Sequence, residues 1–164
     1  PATDPLIRPY SDAAGKAANT AALRAEMGLP DSDGPLCVVV SRLTEQKGLD
    51  LLVKAYALLF PKDRHLRLRL IGPRTVAQGG GGEAYVATLE RLAGNCPIEW
   101  VDPIADAKKL ADEIGKCDIF CYPSVAERGE TFGVAPLEAM AVGCATIVSA
   151  LDCFQDFVQD GVPG

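Results

Sequence analysis

Five short apolar runs punctuate this chain, and stretches of helical periodicity separate them; few architectures accommodate that alternation. The runs are Leu36-Cys-Val-Val-Val40, the alternating Leu66-Arg-Leu-Arg-Leu-Ile71, Ile98-Glu-Trp-Val101, Asp118-Ile-Phe-Cys-Tyr122 and Ala145-Thr-Ile-Val148. Between the first two, Leu49, Leu52, Val53, Tyr56, Leu59 and Phe60 recur at helical spacing, so a helix opens at Gly48 and ends at Pro61. Further helices are predicted over 83–93, 105–114 and 134–142, with a short one over 154–158. Pro136 is compatible with the fourth, because a missing N–H costs nothing in a first helical turn. An Ala-rich stretch over 12–27, stopped by Gly28 and Pro30, predicts one more. Strands that alternate with helices require crossover connections, hence a parallel sheet with helices on both faces, an α/β three-layer αβα domain.

Composition removes several classes of function. With 164 residues the chain can bury one sizeable core, and its formal net charge of -6 argues against a nucleic-acid partner held by bulk electrostatics. No run is long enough to span a membrane. The opening Pro1-Ala-Thr-Asp shows neither a signal peptide nor an initiator Met, which reads as a piece of a longer chain. The six cysteines include no CxxC, and the single His65 cannot complete a Cys/His zinc set. Cys37, Cys121 and Cys144 lie in or beside strand-like runs, as small buried hydrophobes do, so a reduced, cytoplasmic protein without a structural metal is expected.

In parallel α/β sheets ligands bind beyond the carboxyl ends of the strands. The loops over 41–48, 72–82, 102–104 and 123–133 leave those ends. They bring Arg42, Lys47, Glu130 and the helix start after Gly133 to one rim. Arg offers a planar fork and Lys a point charge, and both suit a diphosphate, although two cations on a loop are also what any solvated loop carries. Glu130 can equally be a helix-capping acid and Glu138 an exposed helix acid. A helix N-terminus, with free N–H groups and partial positive charge, suits a phosphate. Gly79–Gly82 followed by Glu83-Ala84 parses as a dinucleotide fingerprint, but that fingerprint needs its first glycine directly after a strand. Gly72 to Gln78 intervenes, and the run is read instead as a mobile loop. Asp31-Ser-Asp33 precedes its strand and reads as a turn, Arg64-His65 as an exposed loop pair, and Trp100 as core.

Glu130-x7-Glu138, with Phe132-Gly133 and the trailing Glu138-Ala-Met-Ala-x-Gly143, resembles the E-x7-E signature of retaining glycosyltransferases of the GT-B fold. The resemblance is to the group 1 enzymes that include the sucrose, mannosyl and glycogen-type transferases. Ser41-Arg42-Leu-Thr-Glu-Gln-Lys47-Gly48 matches the family's arrangement after the first strand of its C-terminal, donor-binding domain. The likeness runs from about Pro35 to the C-terminus. It implies a Rossmann-like domain over 35–164, truncated at its C-terminus, preceded by a lead-in and helix over 1–34. The implied partner is a UDP-, ADP- or GDP-hexose. Arg42 and Lys47 would meet the diphosphate, Glu138 the ribose hydroxyls, and Glu130 hydroxyls of the transferred sugar. Thr131, Phe132 and the backbone N–H groups at Gly133, Val134 and Ala135 would complete the donor site. Arg42, Lys47 and Glu130 would be the catalytic set, with no metal and no other cofactor.

The resemblance also implies that the acceptor-binding N-terminal domain lies outside this chain, so that the isolated chain transfers little by itself. Where the family often has a glycine-rich turn and Glu after the fifth strand, this chain has Ser149-Ala-Leu-Asp-Cys-Phe-Gln-Asp156. A sugar-nucleotide epimerase half-domain and a non-catalytic nucleotide-binding module are the alternatives. Ala-Met-Ala-x-Gly behind the second glutamate favours transfer over epimerisation.

Overall fold

The computed structural model describes residues 34–126, 130 and 133–159, together with Ala18, Ala21 and Ala25. Those three alanines are helical and exposed, as the 12–27 periodicity predicts; the rest of the lead-in lies outside the described residues. Five parallel strands form the sheet: β1 (Leu36–Val40), β2 (Arg67–Ile71), β3 (Ile98–Val101), β4 (Ile119–Tyr122) and β5 (Ala145–Val148). The helices are α1 (Leu49–Leu59), α2 (Gly82–Ala93), α3 (Ala107–Gly115) and α4 (Val134–Ala141). The strand order is β3-β2-β1-β4-β5. Each neighbouring pair is parallel, with Val38 opposite both Arg69 and Phe120.

The pleat sends alternate residues to opposite faces. Val39, Leu68, Leu70 and Cys121 turn to one face, where α1 and α2 deliver Leu49, Val53, Tyr56, Tyr85 and Leu89. Val38, Phe120 and Tyr122 turn to the other, where α3 and α4 deliver Ile114 and Ala139, with Phe154 closing the end. This is the three-layer arrangement. Trp100 is partly buried against the first core. No disulfide joins any of the six cysteines.

The strand order reverses at β1. The chain leaves β1 for α1 on one face and leaves β4 for α4 on the other, so the two neighbouring loops diverge and open a crevice between them. This switch point positions the site.

One predicted element differs. The helix expected over 154–158 is a 3₁₀ turn over Asp152–Phe154, continued by bonds from the Phe157 and Val158 N–H groups to the Phe154 carbonyl (3.2 and 2.8 Å). A segment this short does not recover the cost of nucleating an α-helix. It is held by the burial of Phe154, which meets Tyr122 edge-on at 5.9 Å between ring centroids.

Candidate functional site

The loop after β1 is held from both sides. The Ser41 N–H donates to the Ile71 carbonyl (3.1 Å) and the Leu43 N–H to the Pro73 carbonyl (3.2 Å). On the other flank the Val125 N–H donates to the Gln46 carbonyl (2.9 Å), and Ser124 Oγ lies 3.2 Å from that same oxygen. Gly48 makes this approach possible. Its φ is 62°, and a Cβ there would fall inside contact distance of the Pro123 carbonyl oxygen. Glu45–Lys47 form a 3₁₀ turn ahead of it, so α1 begins at Leu49, one residue after the predicted start.

Lys47 ends that turn and reaches across the switch point. Its Nζ donates to Glu130 Oε2 (2.7 Å) and to the Tyr122 hydroxyl (2.8 Å), and it stands 4.9 Å over the Tyr122 ring. The Tyr122 hydroxyl donates in turn to Glu130 Oε1 (3.2 Å), and Ser124 Oγ donates to Oε2 (2.8 Å). The carboxylate is therefore held at both oxygens. The two charged side chains are 14% and 10% exposed, so water screens the pair little. Burial alone would favour the neutral forms. It is outweighed: the bonds to Glu130 and Tyr122 raise the Lys47 ammonium above its ordinary value, and those from Lys47 and Ser124 hold the Glu130 carboxyl below its own.

The other predicted residues stand around this pair. Arg42 is exposed at the start of the loop, and among the described residues its guanidinium has no ion-pair partner. Its stem lies beside Gly79, where a Cβ would sit 3.5 Å from Arg42 Cδ. Gly133 caps α4 and is buried; a Cβ there would strike the Phe154 ring. Val134 and Ala135 begin the helix, and their N–H groups belong to the first turn, which has no intrahelical acceptors. Glu138, one turn further, is exposed and makes no bond to the Lys47–Glu130 pair; partial burial pushes its carboxyl up. Thr131 and Phe132 lie outside the described residues. The structure thus joins Lys47 to Glu130 and leaves Arg42 and Glu138 unjoined on the same carboxyl-end side of the sheet.

The glycine run departs from the mobile loop expected of it. Gly80, Gly81 and Gly82 donate their N–H groups to the carbonyls of Thr75, Leu43 and Arg74, each at 2.8 Å. The run is a fastened turn that ties the loop after β2 to the loop after β1. Next to it, Arg74 pairs with the exposed Asp102 at 2.9 Å, linking the loops after β2 and β3.

Tyr122 and Ser124 were not foreseen as site residues. Tyr122 was read only as the end of an apolar strand, yet it is the carboxyl-terminal residue of the strand beside the switch point, and that position is the signal. Among the described residues, no group of three or more His, Cys, Asp or Glu is placed to hold a metal ion.

The chain is 36% identical to a glycogen synthase of Jannaschia sp., an alignment covering 99% of this chain and 32% of that protein. It is 31% identical to a D-inositol 3-phosphate glycosyltransferase of Streptomyces griseus, covering 96% of this chain and 32% of that protein. The chain therefore spans about a third of the length of the curated relatives it matches. Among solved structures, the Anabaena HepE protein in complex with UDP and glucose superposes with a TM-score of 0.72 at 22% identity, over 96% of this chain and 38% of that one. The C-terminal domain of a group 1 glycosyl transferase from Francisella tularensis superposes at 0.64 and 19% identity, over 94% of this chain and 73% of that one. The model of the family "Glycosyl transferases group 1" matches residues 24–164, and the chain belongs to that family as a Rossmann-like C-terminal domain.

Proposed function

We propose that this chain is the donor-binding domain of a retaining glycosyltransferase, and that it holds a nucleoside-diphosphate hexose across the switch point. The observation that carries the reading is the 2.7 Å contact between Lys47 Nζ and Glu130 Oε2. In a nucleotide sugar the distal phosphate and the sugar share one bridging oxygen. A cation for that phosphate and an acceptor for the sugar hydroxyls must therefore stand side by side, at the crevice where α4 begins. Lys47 and Glu130 do. Arg42 brings a second positive charge, and the first-turn N–H groups of Val134 and Ala135 bring donors without a net charge.

In this reading the reaction develops negative charge on the departing diphosphate as the glycosidic bond breaks. Arg42, Lys47 and the α4 N-terminus meet that charge with groups already in place, which lowers the barrier without a metal. Glu130 orients the hexose, and Glu138 accepts from the ribose hydroxyls. Positioning the acceptor falls to chain beyond this domain, so the isolated chain binds its donor and transfers little. UDP is the favoured nucleotide, because the Anabaena neighbour holds UDP and glucose.

Saturation-transfer NMR of the chain with UDP-, ADP- and GDP-hexoses and their free nucleotides tests the proposal. Saturation of base and sugar protons for one nucleotide family, lost in Arg42→Ala and Glu138→Ala, is the expected result. Equal saturation by sugar nucleotide and free nucleotide, with no sugar protons touched, would leave a nucleotide-binding module in place of a donor domain.

A further inference from the structure

The geometry points to Tyr122 as a positioning residue whose hydroxyl sets the direction in which Lys47 offers its remaining N–H to a diphosphate. This rests on the donor-site reading and adds a residue that neither the sequence motif nor the comparisons assign.

A lysine ammonium has three N–H donors in tetrahedral array and no acceptor. Two directions are taken, one by Glu130 Oε2 at 2.7 Å and one by the Tyr122 hydroxyl at 2.8 Å. The third then has a fixed direction. With a single acceptor the flexible stem could swing and carry the ammonium onto the carboxylate alone, and the remaining N–H groups would turn with it. Tyr122 differs from its neighbours in the cluster because it accepts from Lys47 while donating to Glu130 Oε1 at 3.2 Å. Its one hydroxyl therefore orients the cation and the carboxylate together.

The ring is placed to hold that hydroxyl still. Tyr122 is 7% exposed, stacks on Phe120 with 13° between the planes, and meets Phe154 edge-on. Phe154 in turn packs against Gly133 at the start of α4. The ring thus joins the Lys47 loop to the helix start through direct contacts. Burial pushes the phenol above its ordinary value, so at neutral pH the hydroxyl keeps the proton it donates to Glu130.

The test is Tyr122→Phe, which removes the hydroxyl and keeps the ring. Calorimetric titration of the chain with inorganic pyrophosphate, with UDP, ADP and GDP, and with the matching nucleoside monophosphates gives the readout. The expected result is a thermal midpoint within about 3 °C of the unsubstituted chain. Pyrophosphate and the preferred nucleoside diphosphate should bind about five- to tenfold more weakly, the scale of one ordinary net hydrogen bond. The monophosphate should change by less than about twofold, since it does not reach Lys47. A merely structural role would weaken monophosphate and diphosphate alike, and that result, or unchanged diphosphate affinity, would overturn the inference while leaving the donor site standing. Failure of the unsubstituted chain to bind any of these probes would overturn the donor-site reading and this inference with it. Should the variant melt far lower, the Tyr122 hydroxyl proton of the unsubstituted chain decides: it should shift on saturation with pyrophosphate, and a resonance that does not move overturns the assignment.

Discussion

Among the described residues, two shielded clusters of charge differ in where they stand and in what covers them. One is Lys47–Glu130 with Tyr122 and Ser124, on loops at the carboxyl ends of β1 and β4. The other lies on the sheet under α3. There Arg69 of β2 bonds Glu99 of β3 (2.9 Å) and Glu113 of α3, and Glu113 also takes Lys116 (2.7 Å). In both, cation bonds outweigh burial and hold a glutamate carboxyl below its ordinary value. A depressed carboxyl therefore does not mark the site. Two cations face two carboxylates under α3, every member stands on or beside a strand or helix, and the cluster sits beneath a packed helix. The loop cluster faces the crevice at the switch point, keeps a spare N–H on Lys47, and has on the same loop Arg42, which has no ion-pair partner among the described residues. Location at the crevice separates a ligand site from a structural clamp, since the clamp too leaves a buried donor, Arg69 Nε, without a hydrogen-bond partner among the described residues.

Arg69→Ala tests the clamp and should give the largest effect. It leaves Glu99 without a cation and Glu113 with only Lys116. Breaking a buried pair costs about 3–5 kcal/mol, and the partial exposure of these acids reduces that to about 2–3 kcal/mol, read by urea unfolding. Diphosphate affinity of the folded fraction should stay within about twofold, as expected of independent sites. Lys47→Ala should invert the pattern. Glu130 keeps the hydroxyls of Tyr122 and Ser124, so stability should fall by about 1–2 kcal/mol, whereas diphosphate affinity should fall at least about tenfold. Equal losses of affinity in the two variants would erase the distinction.

Much of this was legible beforehand, for stated reasons. Leu36–Val40 was readable because a parallel strand covered on both faces has no polar face to blur the run. That Lys47 and Glu130 share one rim followed from placing both on loops that leave the carboxyl ends of strands. The sequence did not reveal that the two residues bond each other, because spacing locates a loop and does not orient a side chain. Tyr122 was hidden by its own chemistry: an aromatic at the end of an apolar strand counts as core, and its ring is core, while its hydroxyl belongs to the site. The 79–82 glycines misled in the opposite sense. Glycine signals conformational freedom, but here it permits close backbone approach, with Gly81 bonded to Leu43.

Glu130→Gln sharpens the comparison from within the loop cluster. It removes a negative charge beside Lys47 and preserves the side chain's shape. A free nucleoside diphosphate, which needs only the cation, should bind at least about threefold more tightly, the lower bound set by one unit charge at about 6 Å under full water screening, ~0.7 kcal/mol. A sugar nucleotide should bind more weakly, because Gln replaces a strong double acceptor for the sugar hydroxyls. Opposite signs for the two ligands, measured by titration, assign Glu130 to the sugar; parallel changes would assign it to the fold.

The smallest effect separates the two acids of the motif by sign. The folded-state carboxyl of Glu130 lies below its ordinary 4.5, so its ionised form stabilises the fold above that pH, and the contribution is lost as pH falls through the depressed value. Glu138 is raised by burial alone, so its protonated form is the favoured one. Its contribution is complete below 4.5 and is lost as pH rises through the folded value. Urea unfolding from pH 7 to pH 3 should therefore show Glu130→Gln flattening the acid loss of stability. Glu138→Gln should instead raise stability at pH 7 by no more than about 0.5 kcal/mol, the scale of an exposed substitution, and leave it unchanged near pH 3. A Glu138→Gln variant that lost stability at pH 7 would mean that its carboxylate already serves a partner in the folded chain, and the proposed ribose contact would then have to displace that partner.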